Sequence, residues 1–199
     1  MNEQELFVLA DRTLANVVAQ IPDKHWDQPM PSEFPMAQED KGVTLRRVIN
    51  YHAYDDAWVP DILTGATMDE AGTDKYDGDL LGDDPKASFA ALVEATCAAV
   101  EQLDDPKRTA HLTYGDFPAQ EYLTHIATFR GLRAYDIAKV VGGDTQLPPD
   151  LVRGLWDALE PHAEEWRAMG VFGPRVDVSD DASPQDKLLG LTGRNPASG

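Results

Sequence analysis

Apolar residues recur along the chain at the three- and four-residue spacing of helices, and proline, glycine and acidic residues fill the gaps between the runs. Leu6, Leu9, Leu14, Val17, Val18 and Ile21 form one stripe and predict a helix from about Gln4 to Ile21. Pro22, Pro29, Pro31 and Pro35 cannot continue it, so residues 22–42 predict a long crossover loop. Trp26, Met30, Phe34 and Met36 are expected to pack that loop down. Thr44 caps a second helix that turns Leu45, Val48, Ile49, His52, Val59 and Leu63 inward, with Pro60 expected to kink or end it. Asp84-Pro85 starts a third, carrying Phe89, Leu92, Val93, Cys97, Val100 and Leu103. The following KRTAHLTYG reads as an extended segment. Asp116 and Pro118 are expected to open a fourth helix, ended by Gly142-Gly143. Its apolar face is read as Tyr122, Ile126, Phe129, Leu132, Tyr135, Ile137 and Val140. A fifth, from about Pro149 to Met169, presents Leu151, Val152, Leu155, Trp156, Leu159 and Trp166. FGPRVDV reads as loop or a single strand. Ser183-Pro184-Gln185-Asp186 forms a capping box for a short helix ending at Gly193, and RNPASG is expected to fray.

Four long amphipathic helices with one long crossover predict an all-α helical bundle over residues 1–147. Residues 148–199 add an extra helix and a tail packed on its outside, within the same domain. A hydrophobic share of 42% and a charged share of 26% suit an ordinary globule with its own core. The net charge of −18, with no basic cluster beyond Arg46-Arg47, speaks against nucleic acid and against anionic membrane as partners. Cys97 is the only cysteine, so no intrachain disulfide forms, and its place in an apolar stripe reads as packing. MNEQELFVLADRTL lacks a secretory pattern, and no run reaches the ~20 apolar residues of a membrane helix. The expectation is a cytoplasmic protein.

The chemistry-bearing positions cluster in NYHAYDDAWVPDILTG. His52 lies on the inward face of the second helix with Asp56 one turn on, and His125 lies on the fourth helix. Bundles build metal sites from such residues on facing helices, so His52, Asp56 and His125 make a candidate set. A lone histidine on an apolar face is more often a hydrogen-bonded core residue, and no H-x-x-x-H, E-x-x-H or H-E-x-x-H occurs. The acidic DKYDGD lacks the ligand spacing of a calcium loop.

The HWDQPMP loop, TLRRVINYHAYDDAWVPDILTG, LTHIATFRGLRAYDIAK and the tail FGPRVDVSDDASPQDKLLGLTGRNP together resemble the DinB-like superfamily of four-helix bundles. Within it they are most similar to the metal-binding domain of mycothiol-dependent maleylpyruvate isomerase and its uncharacterised relatives. The likeness extends over nearly the whole chain. The resemblance implies a divalent metal, zinc or nickel, held by a histidine on the second helix and two residues a turn apart on the long helix. The first falls on His52; the other two fall on Phe129 and Arg133. Phenylalanine has no donor atom, and a guanidinium stays protonated with no lone pair to offer. The expectation is therefore that Arg133 takes the ion's place, in a charged cluster with Asp56, Asp55 or Asp136 and His52. A metal would survive only on His52, Asp56 and His125.

Three functions follow. In the first, the site is degenerate and the bundle binds a small molecule, anionic or a thiol, with His52, Asp56, Arg133 and Asp136 as its polar groups. Tyr51, Tyr54, Trp58, Phe129 and Tyr135 would wall that pocket. In the second, the protein is a metal-dependent transferase or isomerase with mycothiol as cosubstrate, the metal lowering the thiol pKa. In the third, the polar cluster only fixes helix register in a structural homodimer. Gly131, mid-helix, marks either a close helix approach or room for a ligand.

Overall fold

A computed structural model describes residues 1–32, 34 and 42–196. The expected packing of Met36 and the end of the frayed tail lie outside the described residues. Helix α1 (Glu3–Ala19) starts from a capping box between Asn2 and Glu5. Its buried face is Leu6, Phe7, Ala10, Asp11, Leu14 and Val18, while Leu9 and Val17 are only partly covered. The crossover packs down as expected: Trp26, Met30 and Phe34 are buried. Backbone bonds from Met30 N to Val43 O (2.8 Å) and Arg46 N to Trp26 O (2.8 Å) tie it to the start of α2 (Leu45–Leu63).

Thr44 caps α2 by accepting from Arg47 N, and all six residues expected to face inward are buried. Pro60 neither ends nor breaks the helix. It lacks the N–H that would bond Asp56 O four residues back, and the Thr96 hydroxyl donates to that carbonyl instead, at 2.8 Å. After the single turn α3 (Met68–Ala71), α4 (Pro85–Glu101) begins at Asp84, whose side chain accepts from Ala87 N.

The all-α expectation needs one correction. Thr109–Leu112 (β1) and Gly115–Pro118 (β2) pair as an antiparallel hairpin, in register from Thr109 opposite Pro118 to Leu112 opposite Gly115. Asp116 therefore belongs to a strand rather than to a helix start, while Pro118 both ends that strand and holds the N-cap position of α5 (Ala119–Val141), which ends at left-handed Gly142. The expected fifth helix is also divided. Pro161 sits in a 3-10 turn (Glu160–His162) that separates α6 (Pro149–Leu159) from α7 (Ala163–Ala168). Residues 173–178 form a loop, and α8 (Pro184–Leu191) is capped by Ser183, which accepts from Asp186 N.

The fold is thus mainly helical with one small sheet. Helix α1 packs against both α4 and α5, α4 against α2, and α6 against α1 and α5. Gly131 marks a close approach: a Cβ there would lie 2.6 Å from Leu155 Cδ1. Among the described residues no helix is long and apolar enough to cross a membrane. Cys97 is buried, and its thiol is pushed up to about 12 by burial, then by the Asp11 charge, which suits packing rather than reactivity.

Candidate functional site

Three helices converge on one buried cation, Arg130 of α5. The side chain is fully enclosed. Its Nη2 donates to Asp56 Oδ1 (2.8 Å) and to the His52 carbonyl (3.1 Å), and its Nη1 donates to His52 Nδ1. Nε lies 3.3 Å from Asp11 Oδ1 on α1, and Nη1 lies 3.6 Å from Asp55 Oδ2 at the edge of the cluster. A guanidinium is the side chain suited to this task, because its planar fork serves several acceptors at once and it never loses its proton.

The surroundings set the charge states. Burial acts to lower the Arg130 pKa, but Asp56, Asp55 and Asp11 together outweigh it and hold it above its ordinary value. Asp11 is raised well above the usual carboxylate range by burial and by the Asp56 charge, against the pull of Arg130. Asp56 is pushed up to about 6 by burial despite the same pull. His52 is held well below its ordinary value by burial, then by Arg130 and Arg133. A neutral ring accepting at Nδ1 carries its proton on Nε2, which is buried without a hydrogen-bond partner.

This neutral histidine has a measurable consequence. In the unfolded chain His52 binds a proton near pH 6.5, and in the folded protein only well below that. Its contribution to stability is present above about pH 6.5 and is lost as pH falls. The raised Asp11 and Asp56 act with opposite sign, gaining stability as pH falls. Urea unfolding of wild type and His52→Gln at several pH values separates the two. Between neutral pH and about pH 5 the variant should lose less stability, or gain more, than wild type. Parallel profiles would mean that His52 is not held neutral.

The residues expected to share a pocket are divided among different places. Arg133 is not the buried partner of Asp56. Its guanidinium lies over the Phe34 ring, 4.3 Å from the centroid, and 3.5 Å from Asp136. Burial brings it down to about 10, although Asp136 opposes this. Asp136 is gripped instead by Arg194 of the tail, with two hydrogen bonds of 2.9 Å. Trp58 is buried edge-on against Tyr54 and Tyr76, Tyr135 is buried, and Tyr51 is exposed on the outside of α2.

His125 stands elsewhere again, its Nδ1 3.4 Å from the Tyr114 hydroxyl. The candidate metal set His52, Asp56 and His125 is therefore not assembled. Among the described residues no three His, Cys, Asp or Glu side chains are arranged to hold a metal ion. His52 Nδ1 and Asp56 Oδ1 are taken by a permanent cation, and a divalent ion there would meet it at contact distance. The residues do not fit the metal that the resemblance implies.

The second notable feature is a cleft of about 1210 Å³ between the hairpin, α5, α6–α7 and the start of α1. A band of rings runs along it. Tyr114 meets Phe117 (centroids 5.5 Å apart), Phe117 meets His125 (5.2 Å), His125 meets Trp166 (5.5 Å), and Phe129 stacks on Trp166 (6.4 Å). Among the described residues six large hydrophobic side chains are exposed, and five of them line this cleft: Met1, Tyr114, Phe129, Met169 and Val171. Only Tyr51 lies elsewhere. Burial lowers the His125 pKa, with Glu121 at 3.9 Å opposing, so that ring too favours its neutral form.

Sequence reasoning placed neither Asp11 nor Arg130 in the site and did not find the cleft. Two signals were present. Asp11 falls in the stripe Phe7–Leu14–Val18, and Arg130 falls between Ala127 and Ala134: opposite charges at buried spacing on two helices. Glu121, His125 and Phe129 repeat every fourth residue on another face of α5. The chain matches no known protein family, no curated protein and no solved structure.

Proposed function

We propose that this chain is a DinB-like helical bundle that binds a small organic molecule in the aromatic cleft, in a cytoplasmic setting, with Arg130 standing where related bundles would hold a metal. The order of the segments and the inward His52 support the relationship. The observation that carries the binding reading is the gathering of five of the six exposed large hydrophobics among the described residues around one concavity. Scattered apolar residues on a surface need no explanation, whereas a concave concentration with a few polar groups is the ordinary form of a ligand site. A metal-assisted thiol transferase would need the His52 corner to activate the thiol, and Arg130 already uses that corner.

Binding of the neutral fluorophore N-phenyl-1-naphthylamine tests the proposal. Saturable binding is expected, and Tyr114→Ser combined with Phe129→Ser should weaken it by about tenfold, since each ring offers part of the 1.5–3 kcal/mol of a buried aromatic side chain. Tyr51→Ser, which changes the one exposed ring outside the cleft, should leave binding as it is. Equal losses from both variants, or no saturable binding, would overturn the proposal.

A further inference from the structure

We infer that the cleft's ligand is an organic cation: an ammonium group, quaternary or protonated, attached to an apolar or aromatic body. This rests on the cleft being a small-molecule site and adds the charge of what fills it. The lining carries five carboxylates, Glu3, Glu121, Asp150, Asp157 and Glu165, against one arginine, Arg153. Acids lead even when the Met1 amino group is counted with the arginine.

The basic side chains of the wall each have an acidic neighbour. Arg153 Nη2 lies 3.4 Å from Asp150 and is largely exposed, and His162 Nδ1 lies 3.8 Å from Glu165. Arg153 is thus the single guanidinium that an anionic ligand would meet here, and it stands among five carboxylates; Arg130 is enclosed in its own cluster and Arg133 lies against Phe34.

The aromatic band supplies the complementary half. Ring faces attract cations through their quadrupole, most strongly indole. Trp166 is stacked by both Phe129 (6.4 Å) and Phe172 (5.4 Å), so the rings left open to a ligand are the exposed Tyr114 and Phe129. Glu121 Oε1 is 3.9 Å from Nε2 of His125, whose ring is 6.1 Å from that of Tyr114. A carboxylate therefore stands beside the aromatic band, on the same helix as Phe129, so that one ligand can meet both. The chain's net charge of −18 favours cation approach over any distance that salt leaves unscreened.

Competition against N-phenyl-1-naphthylamine reads the charge preference. Three competitors share the benzyl body: benzyltrimethylammonium, neutral benzyl methyl sulfone and anionic phenylmethanesulfonate. The cation should compete about tenfold more tightly than the sulfone, and the sulfonate more weakly than either. In Glu121→Gln combined with Asp157→Asn, both exposed positions, the ratio of cation to sulfone affinity should fall about tenfold. A sulfonate that competes as well as the ammonium, or a ratio untouched by the double variant, would overturn the inference and leave the cleft reading in place. Failure of the fluorophore itself to bind would remove both.

Discussion

Replacing Arg130 with methionine is expected to lower the free energy of unfolding by about 3–5 kcal/mol, the usual cost of breaking a buried ion pair from one side. Methionine fills similar volume, so the loss is electrostatic. Asp11 and Asp56, both without solvent exposure, would be left with no cation, and His52 Nδ1 with no donor. For a chain of 199 residues each kcal/mol corresponds to roughly 2–4 °C in Tm, so a fall of about 6–20 °C is expected by calorimetry. The deficit should shrink as pH falls, because protonated carboxyls no longer need the guanidinium. Adding Asp11→Asn and Asp56→Asn should recover much of it, since removing the whole charged set removes the stranded charges too. Arg133→Met is the control: Asp136 keeps two hydrogen bonds from Arg194 when Arg133 is removed, so no carboxylate is stranded and the loss should be smaller than for Arg130→Met. A larger loss from Arg133→Met than from Arg130→Met would mean that the buried cluster has been misassigned.

That contrast shows where sequence reasoning succeeds on this chain. On α2 the residues read as inward are mostly large and apolar and repeat at helical spacing, and all six are buried, with Ala53, Ala57, Trp58 and Ile62 buried beside them. On α5 Tyr122, Leu132, Tyr135 and Ile137 of the expected face are buried, and beside them lie buried Ala127, Arg130, Ala134 and Ala138, small residues around a charge. Hydropathy weights bulk, and the bulky residues Ile126, Phe129 and Val140 lie on partly or fully exposed faces. Arg133 is named from the resemblance, whose long-helix positions fall on Phe129 and Arg133, and Arg130 is passed over because a charge among small residues gives no apolar signal. Asp11 fails for the same reason, since a carboxylate inside an apolar stripe is discounted unless its partner is known. A guanidinium does lie against His52, but Arg130 supplies it and not Arg133.

The cleft lay beyond reach for a different reason. Its rings come from the hairpin turn (Tyr114), from β2 (Phe117), from α5 (His125, Phe129) and from α7 (Trp166). No local pattern joins them. Trp166 lies on α7, which the 3-10 turn holding Pro161 separates from α6.

The C-terminal segment gives the second large effect. Gly190 lies inside α8, where helix propensity alone makes Gly190→Ala stabilising by about 1 kcal/mol. Packing argues the reverse. A Cβ at that position would lie 2.5 Å from the Val176 carbonyl oxygen and 3.2 Å from Val178 Cγ1. The first is backbone and cannot rotate away, and Val176 N donates to Gly190 O at 3.0 Å, so the two strands of chain are held at this separation. Overpacking of this kind costs about 1–3 kcal/mol, which exceeds the propensity gain. Gly190→Ala should therefore destabilise, and the loss should be local: faster amide exchange and proteolysis over residues 172–194, including the Arg194 latch on Asp136, with exchange in α2 and α4 little changed. Gly131→Ala makes the comparison, because its 2.6 Å neighbour is the end of the flexible Leu155 side chain, which can move aside. A Gly190→Ala protein as stable as wild type, with its tail still protected, would show that the close approach of Val176 to α8 does not hold the tail in place.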